Sequence, residues 1–118
     1  MWFKRKPRPR VEARDEAHIE FVGEQDGPSE RVLKEALMSV LEKHRVERAF
    51  LARVRTGESG ELSVTLCLAA DQGRQVVNAV AEVFEQLFGS REHLDILFLN
   101  EPQESKVASI CRAFYVAA

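Results

Sequence analysis

Residues 50–68 read Phe50-Leu51-Ala52-Arg53-Val54-Arg55-Thr56-Gly57-Glu58-Ser59-Gly60-Glu61-Leu62-Ser63-Val64-Thr65-Leu66-Cys67-Leu68. Apolar residues fall at every second position on both sides of a run containing two glycines. A period of two is the spacing at which strand side chains share a face. The stretch is therefore expected to be a β-hairpin that turns at 56–60. Phe50, Ala52 and Val54 alternate with Leu51, Arg53 and Arg55 before the turn, and Leu62, Val64, Leu66 and Leu68 alternate with Ser63, Thr65 and Cys67 after it.

Helical patterns flank the hairpin. From Pro28, a favourable first-turn residue, Val32, Leu33, Ala36, Leu37, Val40 and Leu41 recur at helical spacing, with Glu30 four before Lys34 on the polar side. After the hairpin, Asp71 is the expected N-cap of a second helix. Its stripe is Val76, Val77, Val80, Val83, Phe84, Leu87 and Phe88, and Gly89 ends it. The segment Leu94–Leu99 is apolar on both faces except at Asp95, which suits a strand covered on both sides. Asn100 and Gln103 have the spacing of a capping box before a last helix on which Val107, Ile110, Cys111 and Phe114 share a face. At the other end, His18–Val22 reads as a short strand closed by Gly23 and the turn Asp26-Gly27-Pro28. The element order is (β)αββαβα: an α+β domain whose antiparallel sheet carries two helices on one face. With the first strand included, the expectation is a ferredoxin-like split βαβ sandwich.

A chain of 118 residues, 45% hydrophobic and 31% charged, has the length and balance of one folded domain, here 18–118. Residues 1–17 form a basic arm in which Pro7 and Pro9 oppose helix. Lys4, Arg5, Lys6, Arg8 and Arg10 lie in the first ten residues with no acid. The whole chain has a formal charge of -2, so residues 11–118 carry -7. Such a body repels polyanions, and nucleic-acid binding is not expected. The RNP aromatics of an RNA-binding sheet are also missing. Cys67 and Cys111 show no Cys-x-x-Cys spacing and suit a reducing cytoplasm. The N-terminus lacks the apolar core of a signal peptide.

The stretch from Pro28 to Tyr115 has carriers of a family resemblance in Val32-Leu33-Lys34-Glu35-Ala36-Leu37, Glu42-Lys43-His44-Arg45-Val46-Glu47-Arg48-Ala49-Phe50-Leu51, Leu94-Asp95-Ile96 and Phe114-Tyr115. On these residues it resembles the C-terminal domain of the enhanced serine sensitivity protein SseB family. Ala113 stands where the family pattern has proline, and fuller members carry a further domain ahead of this one. The resemblance implies a bacterial cytoplasmic protein and a phenotype in serine metabolism. It implies neither a reaction nor a cofactor.

No nucleophile here sits in a catalytic motif: Cys67, Cys111, Ser63 and Ser109 are scattered relative to His18, His44 and His93. The histidines lack metal-ligand spacing, and no phosphate-binding glycine loop follows a strand. His44 is placed to interact with the carbonyls that end the first helix. Asp95, alone among apolar neighbours, needs a partner, for which Arg48, Arg53 and Arg55 are candidates. If Leu62, Val64, Leu66 and Leu68 face the two helices, then Leu51, Arg53, Arg55, Ser63, Thr65 and Cys67 point away, joined by Asp95, Leu97 and Leu99. That face is either covered by the last helix, through Val107, Ile110 and Phe114, or open to a partner. The resulting expectation is a non-enzymatic module without cofactor or metal, binding a protein partner or itself through the sheet face or edge. Its candidate contacts are Leu51, Arg53, Arg55, Asp95, Leu97 and Leu99. The alternative is a small-molecule-binding or regulatory domain. In the arm, Trp2 and Phe3 beside Lys4, Arg5 and Lys6 make a weak contact with an anionic membrane surface a further expectation.

Overall fold

The hairpin forms the centre of the sheet. A computed structural model describes residues 19–56, 61–71 and 73–118. Its elements are β1 (Ile19–Glu24), α1 (Pro28–Lys43), β2 (Arg48–Thr56), β3 (Glu61–Ala69), α2 (Arg74–Phe88), β4 (Asp95–Phe98), α3 (Glu101–Ile110) and β5 (Tyr115–Val116). The α+β class and the order βαββαβα are as read from the sequence, with the short β5 in addition. No helix among the described residues is long and apolar enough to cross a membrane.

Strand neighbours run β1-β2-β3-β4, with β5 pairing β2. β2 is antiparallel to β1, β3 and β5, while β4 is parallel to β3 through the α2 crossover. This corrects the ferredoxin-like expectation. In a split βαβ unit another strand separates the two parallel strands, whereas β3 and β4 are direct neighbours here. β1 is at an edge. It continues through Gly23, which sits at a bulge after Phe21, and so is not closed there.

Both faces of the sheet are covered. On one side α1 and α2 bring Leu33, Leu37, Leu41, Val76, Val80 and Phe84 onto Ala49, Leu51, Val64, Leu66, Leu68 and Ile96. On the other, Val107 and Cys111 of the α3 segment close over Phe50, Ala52, Val54, Cys67 and Leu97. Each fully buried leucine removes enough apolar area from water to contribute about 1.5–3 kcal/mol. Val32 falls outside this packing at 54% exposed. Glu30, expected on the polar side of α1, is instead buried and accepts a 2.6 Å hydrogen bond from Gln25 Nε2. Lys34 pairs with Asp26 at 3.4 Å and Glu24 at 3.9 Å.

Helix ends show where local chemistry decided the geometry. The α3 capping box is complete: Asn100 Oδ1 accepts from Gln103 N–H and Gln103 Oε1 accepts from Asn100 N–H, both at 2.9 Å. Gly89 ends α2 at φ 80°, in the region that favours glycine, and its N–H donates to Glu85 at 2.7 Å. Asp71 is not the α2 N-cap; Gly73 is, without a side-chain hydrogen bond. His44 caps α1 through its backbone N–H, which donates to Val40 at 3.1 Å.

Candidate functional site

A sheet edge and the helix beside it form a concave feature among the described residues. β4 ends the neighbour order, and among the described residues no strand pairs its outer side. Leu99 N–H donates to the Leu68 carbonyl at 2.9 Å. Alternation along the strand then turns the backbone N–H and C=O of Ile96 and Phe98 away from β3. Their side chains point to the α2 side, while Leu97 belongs to the cluster under α3 and Leu99 packs against it. The edge is therefore apolar on both faces.

Between β4 and α2 lies a groove of about 850 Å³. Its apolar lining includes Val77, Ala81, Phe84, Leu94, Ile96 and Phe98. Arg74 lies at the end where α2 begins and β4 finishes. Glu85, Ser90 and Glu92 lie at the other, where α2 ends and β4 begins. Phe84 and Phe88 hold their ring centroids 5.0 Å apart at 45°, stiffening that end of the helix. An apolar floor with polar groups at its rim is the usual composition of a binding groove.

His93 also lines the groove, only 8% exposed, with Nε2 2.5 Å from Asp95 Oδ1. The ring N–H donating to the carboxylate gives Asp95 a local partner and fixes the imidazole. This replaces the arginine partnership expected from sequence. Arg48 instead bonds Glu104 of α3, and Arg55 pairs with Glu20 at 3.4 Å across β1 and β2.

The six residues expected to share the far face do not do so. Leu51 is opposite Leu66 in the ladder, so Leu51, Arg53 and Arg55 lie on the α1/α2 side with Leu62, Val64 and Leu68. Phe50, Ala52 and Val54 take the other face. Leu51 is 1% exposed; Arg53 is exposed, with Nη2 reaching to within 2.8 Å of where a Cβ on Gly23 would sit. Asp95, Leu97 and Leu99 do alternate onto the α3 side. The cover there is also corrected: Gln103, Val107 and Cys111 are buried, Ile110 is 40% exposed, and Phe114 packs against the α1/α2 cluster. Trp2, Phe3, Lys4, Arg5 and Lys6, with His18, lie outside the described residues.

The nucleophile candidates are held in the interior or locally bonded. Burial, with a smaller contribution from the neighbouring Cys111, pushes the Cys67 thiol far above its ordinary range. Burial, with the charge of Glu24, pushes Cys111 up to about 11. Both thiols stay protonated at neutral pH, the unreactive form. The buried hydroxyls of Ser63 and Thr65 lie 3.3 Å apart and bond each other, and Ser109 Oγ donates to Lys106 at 2.7 Å. Among the described residues no three His, Cys, Asp or Glu side chains gather to hold a metal ion.

The groove was missed in sequence because Leu94–Leu99 looked like a strand with neighbours on both sides. The available signal was positional. A strand reached by a crossover helix and followed by no further long strand is a natural sheet edge. No family model matches the chain, and no curated protein or solved structure does either.

Proposed function

We propose that this domain is a non-enzymatic protein-interaction module that captures an extended segment along the outer edge of β4. The observation that carries the reading is the pairing of that edge with the groove under α2. The backbone of Ile96 and Phe98 faces outward, and the groove beside it takes side chains of every second residue of an added strand. Main-chain hydrogen bonds supply affinity, and the pocket between Val77, Ala81 and Phe98 supplies selectivity. The two buried free thiols support placing the module in a reducing bacterial cytoplasm.

A second reading is a small-molecule regulatory site in the same groove. It draws on Arg74 and His93 in the lining and on the resemblance to the serine-sensitivity family. The two readings separate in one experiment. A chain lacking residues 1–17 is selected against a random extended-peptide library and, separately, titrated with free serine, while amide shifts are followed. Peptides that move the Ile96 and Phe98 amides and are lost in Ala81→Arg support the first reading. Shifts confined to Arg74 and His93 with serine alone support the second and overturn the first.

A further inference from the structure

Resting on the reading that the outer edge of β4 takes an added strand, we propose that the added strand is β4 of a second copy of this chain, paired antiparallel about a two-fold axis at Leu97. Such a contact uses one patch twice, so the patch must complement itself. This edge does so in register, in side-chain pattern and in charge.

Register follows from backbone direction. Directly opposite residues of an antiparallel pair either both bond across the gap or both face away from it. The backbone groups of Ile96 and Phe98 face outward, so each has to lie opposite another outward residue. β4 spans Asp95–Phe98. Centring the pair on Leu97 sets Ile96 opposite the partner's Phe98 within those bounds, and each such pair exchanges both of its hydrogen bonds. Centring it on Ile96 or on Phe98 carries one of the two beyond the end of the strand.

The side chains require the same kind of strand. Ile96 and Phe98 lie on the α2 side, Leu97 and Leu99 on the α3 side. Neighbours in a strand point to opposite faces, so a strand beside this edge has to be apolar at consecutive positions. β4 is itself such a strand. Across the axis Ile96 lies beside the partner's Phe98, a favourable β-branched and aromatic pair, and Leu97 lies beside the partner's Leu97. Asp95, held by His93 at 2.5 Å, stays at the margin.

Charge selects a second copy over a strand of one sign. The groove has Arg74 at the end where β4 finishes, and Glu85 and Glu92 at the end where it begins. Arg74 and Glu85 are exposed and Glu92 half-exposed. Antiparallel pairing brings the finish of one β4 to the beginning of the other, so Arg74 of each copy meets the partner's Glu85 and Glu92. The helices agree with this placement. Arg74, Asn78, Ala81 and Glu85 line the groove at offsets that share one helix face. Setting Arg74 opposite the partner's Glu85 sets Asn78 opposite the partner's Ala81, two short side chains at the middle of α2, as Leu97 is at the middle of the strand pair. The net charge of -7 on each body is screened beyond about 8 Å at physiological salt.

Sedimentation equilibrium of the intact chain is expected to show a monomer–dimer equilibrium whose heavier species has twice the mass of 13.4 kDa. Amide exchange at Ile96 and Phe98 is expected to slow as the dimer fills, with Phe21 on β1 unchanged. Arg74→Glu and Glu85→Arg, each at an exposed position, are each expected to weaken the dimer about tenfold or more, because each sets like charges together twice. Both variants should keep the parent's circular dichroism. Mixed in equal amounts, they should form a heterodimer, since glutamates at 74 and 85 in one chain then face arginines at 85 and 74 in the other. A parent chain that stays monomeric up to its solubility limit overturns the proposal. If that monomer still takes library peptides at Ile96 and Phe98, the edge reading stands without self-pairing; if it takes none, both fall. A dimer that neither charge variant weakens, that leaves Ile96 and Phe98 exchange unchanged, or that is lost with residues 1–17 also overturns it. Those outcomes assign the contact to another surface or to the N-terminal residues.

Discussion

The two edges of this sheet are finished by different means. On one side β1 carries a bulge after Phe21 and the exposed or half-exposed acids Glu20 and Glu24, and β5 pairs Arg48 and Ala49 at the start of β2. Bulges, charges and full coverage are the devices by which a sheet refuses a foreign strand. On the other side β4 has four residues, no charge after Asp95, and apolar side chains on both faces. If β4 takes an added strand as proposed, protection and reception are divided between the edges, so that binding at one need not disturb the ladder at the other.

The largest test of that division compares one apolar residue on each edge, both on the α3 side. Leu97→Glu on β4 places a charge among Phe50, Cys67 and Val107 and is expected to cost about 3–5 kcal/mol. Phe21→Glu on β1 starts from a half-buried position and should cost clearly less. Urea midpoints of the two variants decide it, and equal losses mean that the two edges are equally embedded.

A smaller effect is expected at Asn100, which caps α3 directly after β4. Asn100→Ala removes the acceptor for Gln103 N–H and should cost about 1 kcal/mol. Hydrogen exchange should quicken at Phe98 and Leu99 while β1 amides keep their protection. Equal quickening on both edges would show that they open as one unit.

The smallest effect belongs to the β1 side and to pH. The Gly27 amide, then Arg31 and Lys34, hold the Asp26 carboxyl below the usual aspartate range. A carboxyl depressed in the folded state contributes stability that is present above its unfolded value of about pH 4 and is lost as pH falls through the folded value. Asp26→Asn should therefore shallow the acid limb of a stability–pH curve and leave neutral pH nearly unchanged. An acid limb identical to the parent's would show that Asp26 contributes nothing.

How far residues alone led to these edges depended on what each signal measures. The capping box at Asn100 and Gln103 and the terminal Gly89 involve neighbours in sequence, so their chemistry was readable directly. The faces of β2 were not. Phe50, Ala52 and Val54 on one side and Ala49 and Leu51 on the other are all buried, so alternation gives two acceptable answers. The register Thr56↔Glu61 chooses between them, since four intervening residues set odd positions of β2 against even positions of β3. A slip of one residue exchanges every face. Strand order was similarly hidden, because βαββαβ is compatible with more than one neighbour order. The groove depends on that order and was invisible with it. The His93–Asp95 pair was local, only two residues apart, yet was passed over in favour of distant arginines.

The outer side of β2 is closed by two pieces that lie far apart in the chain. β1 pairs from Ala52 to Thr56, β5 pairs at Arg48 and Ala49 in the same direction, and Glu24 accepts from Arg112 N–H at 3.1 Å where they meet. During synthesis β1 and β2 leave the ribosome early, but the stretch of β2 at Arg48–Ala49 waits for Tyr115 and Val116. Chain elongation at about 5–20 residues per second puts several seconds between those events. For that interval a nascent chain exposes the end of its protected edge that β5 covers in the finished domain, and a chaperone contact there would be a feature of birth alone.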